Sequence, residues 1–321
     1  MNRRPLVTVG IPTYNRTKYL AEAIQSVLEQ TFEDFEFLIY DNASTEDVAG
    51  LVQSFDDPRI NYVRHSRNVG PLRNSNLIAE HAKGKYVVMH HDDDIMLPTN
   101  LEKKAAFMEA NQGVGFVHSG FERIDMSGRT LPPSLNANVC PEGVEPGWDM
   151  FRRLLRFNPV GCPTVMISKE AIVEKGLFDE SVAVTADIPA WMKFSLFYDI
   201  GYLAEPLLKI RLHPGQDSAM HLHGYREAEQ LYSSRLRVLR DYEGQFGWLA
   251  KERAQFQRRY FMEVLREADE LSWNGNAGTV LGKLFFVCSR CPWLALYPST
   301  LRASARSLGR SALRQFRGRQ V

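Results

Sequence analysis

The chain has 321 residues, of which 44% are hydrophobic and 24% are charged, and its formal net charge is +1. These fractions are typical of a soluble globular protein, and four scattered cysteines are too few for a disulfide framework. No run reaches the ~18 uninterrupted apolar residues of a spanning helix, and the first residues lack the apolar stretch of a signal peptide. We therefore expect a cytoplasmic protein, and nothing in its charge indicates a nucleic-acid partner.

Over the first two hundred residues, short β-rich runs alternate with helical patterns, which is typical of a parallel sheet covered by helices. The patterns predict strands at 6–11, 35–40, 60–64 and 86–91, and helices at 19–30, 46–55, 73–81 and 101–111. Gly84 is expected to end the third of these helices. Ligands of open α/β sheets bind outside the carboxyl ends of the strands. The loops at 12–16, 41–45 and 91–94 are therefore predicted to share one crevice.

The middle of the chain continues the alternation, with strands predicted over 114–125 and near 164–168, and helices near 149–156 and 186–198. Residues 128–147 are rich in Pro, Gly and Asn and predict a long loop. Beyond about His221 the aromatic and apolar residues follow helical spacing. We expect a domain over residues 1–220 and a helical C-terminal region over 221–321.

One short run, YVVMHHDDDIMLP (86–98), places three carboxylates directly after an apolar strand. Adjacent like charges repel, so Asp92, Asp93 and Asp94 need water or a cation to neutralise them. A solvated acidic turn is the plain alternative to a cation site.

Four segments resemble, in order, the motifs of the family 2 glycosyltransferases: VTVGIPTYNR, FLIYDNAST, RNVGPLRNSNLIAEHAKGKYVVMHHDDDIMLP and GLFDES with ADIPAWMKFSLFYDIGYL. The resemblance covers about residues 5 to 215. It implies the GT-A fold, a Rossmann-like α/β domain with a mostly parallel central sheet flanked by helices. It also implies inverting transfer of a sugar from a nucleoside diphosphate to an acceptor hydroxyl.

The resemblance implies that the acidic run binds a divalent cation, Mn²⁺ or Mg²⁺, which stabilises the diphosphate charge. Asp93 is the expected ligand and Asp94 a further one. The first Asp of the family motif falls on His91, which could touch the ribose or the metal, while Asp92 could replace the missing carboxylate in a shifted register. His213, which with Arg211 matches an Arg-x-His pattern of the family, could reach the metal or the diphosphate.

For the nucleotide, the resemblance assigns base recognition to Asp41, whose carboxylate accepts a ring N–H of uracil, thymine or guanine. It favours UDP- or dTDP-sugar donors. An Asx turn is the structural alternative for this residue. Donor binding is also expected from Arg73, which could instead be an exposed helix residue, and from Pro12, Thr13, Tyr14, Asn15, Asn42 and Asp92.

The acceptor hydroxyl needs a general base, because its pKa is too high for unaided attack. The family places this Asp at the start of a helix, which selects Asp187 here. Two acids usual beside it are replaced by Ala186 and Pro189. Asp187 could also be the N-cap of that helix, with Pro189 close behind it.

Two rival functions share parts of this pattern. A sugar-1-phosphate nucleotidyltransferase would need a Gly-rich basic loop after the first strand, which GIPTYNRTKYL lacks. A non-catalytic nucleotide-sugar-binding protein has no need of both Asp93 and Asp187. The expected acceptor is a glycan or a lipid-linked sugar, in cell-surface polysaccharide or glycolipid assembly.

The last residues, 301–319, combine an apolar stripe with a row of arginines at helical spacing. Such a basic amphipathic helix is typical of contact with anionic lipid, which predicts peripheral attachment at the cytoplasmic face of a membrane. The alternative is a helix packed on the C-terminal region, with its arginines in water.

Overall fold

The computed structural model describes residues 4–133, 140–182, 185–216, 225–273 and 277–290. The segment 301–319, with its predicted membrane contact, lies outside these residues. Among the helices of the described ranges, none has the length and apolar character needed to cross a membrane. The chain divides into two compact units, Met1–Pro214 and Gly215–Val321.

The first unit is built on a ten-stranded sheet whose spatial order is β3-β2-β1-β4-β9-β6-β10-β5. Short strands β7 and β8 pair with β6 and β10. The strands are β1 Val7–Thr13, β2 Phe35–Asp41, β3 Ile60–Arg64, β4 Tyr86–Met89, β5 Ile95–Met96, β6 Val114–Ile124, β7 Thr130–Leu131, β8 Gly143–Glu145, β9 Met166–Ser168 and β10 Asp199–Arg211.

Seven helices of this unit accompany the sheet. They are α1 Thr17–Leu28, α2 Val48–Gln53, α3 Pro71–His81, α4 Asn100–Ala110, α5 Gly147–Leu154, α6 Lys169–Lys175 and α7 Asp187–Ser195. Strands β1 to β4 and the pair β6 and β10 run parallel, while β9 and β5 are antiparallel to their neighbours. The expected α/β class, with a mostly parallel sheet flanked by helices, is confirmed.

Apolar patterning explains the core beside β1. The strand residues Val7, Val9 and Ile11 are fully buried and face the apolar stripe of α1. The strand residues and the stripe belong to one hydrophobic cluster. The stripe consists of Leu20, Ala23, Ile24 and Val27, which recur at the spacing of one helix face. Burial of four such side chains contributes several kcal/mol, at about 25 cal/mol per Å² of apolar surface.

Strand register brings the carboxyl ends together. Thr13 of β1 pairs with Asp41 of β2, and Gly10 of β1 pairs with Met89, the last residue of β4. The chain therefore leaves β1, β2 and β4 along one edge of the sheet. The expected strand over 86–91 ends at Met89, so that the acidic run lies in the turn beyond it.

Gly84 does not end a helix in the way that its position suggests. The C-cap of α3 is Ala82, and Gly84 has no positive φ. A Cβ at Gly84 would lie 2.5 Å from the backbone nitrogen of Thr8, so glycine is needed for close approach to β1. The helix-ending interpretation of Gly84 is wrong.

The region 128–147, expected as a loop, contributes the short strands β7 and β8 where it is described. Helix α6 was not expected, because seven residues are too few for a periodic signal. Within the residues that the structure describes, the second unit has three helices: α8 Tyr225–Glu243, α9 Leu249–Trp273 and α10 Ala277–Arg290. Its core includes stacked rings of Tyr232 and Phe256, whose centroids are 5.7 Å apart.

Candidate active site

The residues Asp92, Asp93 and Asp94 form a turn after β4 that we call the acidic turn. They are 4%, 3% and 1% exposed, so the turn is buried rather than solvated. Three carboxylates removed from water cost free energy unless cations or hydrogen-bond donors compensate them. The surrounding residues supply that compensation.

Arg211, the last residue of β10, lies buried against the acidic turn. Its backbone N–H donates to Asp94 Oδ1 at 2.9 Å, and its Nε donates to the carbonyl oxygen of Asp93 at 3.0 Å. The guanidinium also pairs with Glu22 of α1 and lies 4.4 Å from the centre of the Tyr19 ring. One buried cation therefore joins α1, β10 and the acidic turn.

The loop after β1 supplies further donors. Thr13 Oγ1 donates to Asp92 Oδ2 at 2.8 Å. Arg16 Nη1 lies 3.5 Å from Asp92 Oδ1 and 3.6 Å from Asp93 Oδ2. Sequence reasoning did not single out Arg16, although a cation directly after the PTYN segment was an available signal.

The acidic turn and the histidine before it contain a set of possible metal ligands. His91, Asp93 and Asp94 each offer one ligand atom, and these atoms lie within 4.8 Å of one another. His213 Nε2 lies 2.9 Å from Asp93 Oδ2. Asp94 Oδ2 is buried and lies 3.4 Å from His91 Nδ1. Carboxylates with an imidazole suit a divalent cation, so these residues fit the expected ion.

Burial also changes the protonation of the acidic turn. Desolvation, with the charge of Asp93 second, raises the pKa of Asp92 to about 6 against the opposing effects of Arg16 and Thr13. Desolvation likewise raises the pKa of Asp94. A raised folded-state pKa means that the ionised carboxyl destabilises the cation-free fold, and this cost appears as the pH rises from about 4 to about 6. A bound cation would remove it.

Asp41 ends β2 and is 1% exposed. Its Oδ1 accepts from the backbone N–H of Ser44 at 2.8 Å, which forms the turn expected of an Asx residue. Its Oδ2 accepts from the Tyr62 hydroxyl at 2.7 Å and lies 3.4 Å from Arg64 Nε. Each carboxylate oxygen can accept a further hydrogen bond, so recognition of a base by Asp41 stays a prediction.

The loop that starts with Pro12 and Thr13 at the end of β1 has a defined shape. Tyr14 is 44% exposed, which leaves its ring open to a ligand. Asn15 has a φ of 51°, a conformation that asparagine tolerates, and its Oδ1 accepts from the backbone N–H of Thr45 at 2.7 Å. The loops after β1 and β2 are thereby tied together.

Asn42, next to Asp41, holds the segment that leads into α3. Its Nδ2 donates to Asn68 Oδ1 at 2.9 Å, and its Oδ1 accepts from the backbone N–H of Val69 at 2.7 Å. Both groups of this amide are therefore engaged within the protein. Its role in the structure is to order the loop beside the proposed donor site.

Arg73 makes its described contacts away from the acidic turn and from the loops after β1 and β2. It lies on an exposed part of α3 and pairs with Glu80 at 2.6 Å and with Glu180 at 3.4 Å. This arrangement matches the exposed-helix alternative for Arg73, and contact with a base or phosphate stays a prediction. Exposed pairs of this kind contribute little to stability, about 0 to 1 kcal/mol.

Asp187 is the first residue of α7. Ala186 occupies the N-cap position without a capping side chain, so the interpretation of Asp187 as the N-cap is wrong. The preceding Thr185 has a φ of 61°, which is unusual for a β-branched residue and is typical of functional segments. Asp187 Oδ2 accepts a hydrogen bond from Asn158 Nδ2 at 2.9 Å.

Cys162 connects Asp187 with the acidic turn. Burial raises the pKa of its thiol, a hydrogen bond with His91 lowers it, and the charges of Asp187 and Asp94 raise it. The thiol of Cys162 thus interacts electrostatically with the candidate base and with Asp94. Sequence reasoning found neither Asn158 nor Cys162, because no motif marks them and their partners are distant in the chain.

Comparison with known sequences identifies relatives. A family model described as "Glycosyl transferase family 2" matches residues 8–173. An uncharacterized glycosyltransferase of Rickettsia bellii (strain RML369-C) is 32% identical over 222 residues, covering 69% of this chain and 31% of that protein. The putative teichuronic acid biosynthesis glycosyltransferase TuaG of Bacillus subtilis (strain 168) is 28% identical over 193 residues, covering 60% and 72%. The matched region spans 31% to 35% of three Rickettsia relatives.

Solved structures share the fold. Residues 1–349 of S. aureus TarS in complex with UDP-GlcNAc align with a TM-score of 0.60 at 18% identity, covering 96% of this chain and 91% of that one. The mannosyltransferase PcManGT from Pyrobaculum calidifontis in complex with GDP-Man and Mn²⁺ aligns with a TM-score of 0.57 at 18% identity, covering 97% and 87%. The expected GT-A architecture is confirmed.

The first prediction concerns the cation site and is tested by measuring thermal unfolding with and without Mn²⁺. Saturating Mn²⁺ at pH 7 should stabilise the wild type, by about 2.7 kcal/mol at ~100 times its Kd, because the ion binds only the folded state. Asp93→Asn should abolish this gain, and the gain should shrink as the pH falls below about 6, where Asp92 becomes protonated.

Asp56→Asn is the matched control, since Asp56 is exposed and its φ of 47° suits asparagine. It should keep the full Mn²⁺ response. An equal response in Asp93→Asn and wild type would contradict a cation site at the acidic turn.

Proposed function

Because the chain belongs to glycosyl transferase family 2, we propose that it is an inverting glycosyltransferase that moves a sugar from a nucleoside diphosphate to an acceptor hydroxyl. The observation that carries the proposal is the group of possible metal ligands His91, Asp93 and Asp94 directly after β4, whose ligand atoms lie within 4.8 Å of one another. Such a group suits the binding of a diphosphate through a divalent cation, and Asp187 at the start of α7 is the proposed base for a single displacement at a sugar carbon. We assign this reaction to the first unit, with the helical second unit as an appendage.

In the proposed reaction, the Asp187 carboxylate takes the proton of the acceptor hydroxyl while its oxygen attacks the anomeric carbon. The bond between that carbon and the diphosphate oxygen breaks, its electron pair stays on the diphosphate, and the configuration inverts. Asp93 and Asp94, with His91 and His213, would hold a divalent cation, Mn²⁺ or Mg²⁺. When bound, the cation stabilises the negative charge that develops on the leaving diphosphate.

The donor is proposed to be a UDP- or dTDP-sugar. Asp41 ends β2 and pairs with Thr13, the residue before the exposed Tyr14, and its carboxylate can accept a ring N–H of uracil or thymine. The complex of TarS with UDP-GlcNAc supports such a donor. The GDP-Man complex of PcManGT fits the same chemistry, because guanine also carries a ring N–H.

The acceptor is proposed to be a glycan or a lipid-linked sugar in polysaccharide or glycolipid assembly. The likeness to TuaG, named for teichuronic acid biosynthesis, supports this class. We further propose that residues 301–319 bind anionic lipid at the cytoplasmic face of a membrane. Arginines at 302, 306, 310 and 314 adjoin an apolar row in this sequence, and the preceding helix α10 exposes Phe285.

The proposed base can be tested with Asp187→Asn. The substitution preserves shape but removes proton acceptance, so the rate of sugar transfer should fall by about 10²–10⁴-fold while donor affinity stays nearly normal. Transfer would be measured as release of nucleoside diphosphate from a panel of donor sugars with Mn²⁺, and donor affinity by calorimetry. The exposed Asp179→Asn serves as the matched control and should retain wild-type transfer. A lost donor affinity with a normal rate per bound donor would contradict the role of Asp187.

Base recognition by Asp41 can be tested by calorimetry with nucleoside diphosphates and Mn²⁺. UDP should bind about 10- to 100-fold more tightly than CDP or ADP, because a hydrogen bond to a charged acceptor contributes about 1.5–3 kcal/mol. UDP methylated at N3 lacks the ring N–H and should therefore bind more weakly than UDP by the same factor of about 10 to 100. Asp41→Asn, checked for a normal melting temperature, should bind all of these ligands alike. Equal affinity of the wild type for UDP and its N3-methyl form would contradict this role.

Membrane contact can be tested by flotation with vesicles of phosphatidylcholine, with and without phosphatidylglycerol. The full chain should float only with the anionic vesicles and less in high salt, since each arginine near such a surface contributes about 1 kcal/mol. A chain ending before Leu301 should not float. A variant with Gln at positions 302, 306, 310 and 314 keeps the apolar row and should also fail. Flotation unaffected by truncation would contradict the proposal.

A further inference from the structure

Asn158 lies in the loop between α5 and the 3₁₀ turn Cys162–Thr164. Its Oδ1 accepts from the backbone N–H of Val160 at 3.1 Å, and its Nδ2 donates to Asp187 Oδ2 at 2.9 Å. A backbone N–H can only donate, so Oδ1 must face Val160, and the NH₂ group must face the carboxylate. The orientation of this amide is therefore determined by its two partners.

The same loop is anchored at its other end. Thr164 donates from its backbone N–H and from Oγ1 to the carbonyl oxygen of Gly161, at 2.9 Å and 2.7 Å. Cys162, the first residue of the 3₁₀ turn, interacts electrostatically with His91 beside the acidic turn. A short segment thus contacts Asp187 with its first part, while its second part is held by its own hydrogen bonds.

We propose that Asn158 is a positioning residue, which holds the Asp187 carboxylate in the orientation needed to take the acceptor proton. The proposal rests on the proposed function of this site. The terminal torsion of an aspartate is broad, so a carboxylate without a directed partner turns easily. A hydrogen bond from an amide whose other end is tied to the backbone restricts that rotation.

The chemistry of the amide suits this role. A lysine or arginine at position 158 would form an ion pair with Asp187 and reduce its tendency to accept a proton. A carboxamide orients the carboxylate without a full positive charge. Misplacement of a reacting group by about 1 Å can cost about 10²-fold in rate, so a single directed hydrogen bond is sufficient to matter.

The decisive variant is Asn158→Asp, which keeps the size of the side chain and an acceptor for the Val160 N–H but replaces the NH₂ donor with an oxygen. We expect kcat for sugar transfer to fall by about 10²-fold while KM and Kd for the donor stay close to wild type. Asn61→Asp is the matched control, because Asn61 is exposed on β3, and it should leave kcat unchanged. A normal kcat in Asn158→Asp would overturn the proposal.

A stability cycle tests the contact without any transfer assay. Asn158→Asp should lower the melting temperature at pH 7, because two carboxylates then face each other. Adding Asp187→Asn should restore it, because the amide introduced at position 187 can donate to the carboxylate introduced at position 158. The double variant should remain unable to transfer sugar, since the carboxylate has moved.

The two tests separate this inference from the proposed function. If the changes in melting temperature of the two single variants add up to the change in the double variant, the two side chains do not interact. That result would overturn the inference even if the wild type is active. A coupled cycle in a protein that transfers no sugar from any donor would contradict the proposed function, and with it the catalytic purpose assigned to Asn158. Coupling together with the selective loss of kcat is the result expected.

Discussion

The burial of three adjacent carboxylates at the carboxyl edge of the sheet is the constraint on which the site depends. Because water is excluded from the acidic turn, its charge must be met by fixed groups of the protein or by an ion. Arg211 and Arg16 approach it from β10 and from the loop after β1, and Thr13 donates to Asp92. These contacts also tie distant parts of the chain together, so the electrostatic compensation of the turn contributes to the tertiary structure.

The two oxygens of Asp94 differ in their partners. Arg211 engages the backbone of Asp93 and one oxygen of Asp94, while the other oxygen of Asp94 is buried and lies 3.4 Å from Nδ1 of His91. Desolvation raises the pKa of both Asp92 and Asp94, which expresses the free-energy cost of ionising carboxyl groups in this buried turn. A divalent cation would remove it, and a nucleoside diphosphate would then supply the remaining ligands of that ion. The possible ligands His91, Asp93 and Asp94 fit such a cation.

The parts that sequence predicted are those with local signals. Apolar runs and helical stripes predicted β1 to β4 and the helices between them, and the rule for parallel strands predicted that Thr13, Asp41 and the acidic run would meet at one edge. Gly84 was misread, because a glycine needed for close approach to Thr8 looks the same in sequence as one that ends a helix. The role of Arg211 depends on Glu22 and Tyr19, nearly two hundred residues earlier, and no local pattern reports such a contact.

The contrast between local signals and long-range contacts also separates the two halves of the proposed site. The proposed donor half is formed by short loops that directly follow β1, β2 and β4, so strand order alone brings its residues together. The proposed acceptor half is formed by α7 and the loop after α5, which no strand register aligns, and Asn158 of that loop donates a hydrogen bond to Asp187. Loops held in this way can change length and sequence without disturbing the sheet, provided that the contacts to the base are kept. Under the proposed assignment, we therefore expect changes in these segments to alter the choice of acceptor and to leave the donor chemistry the same.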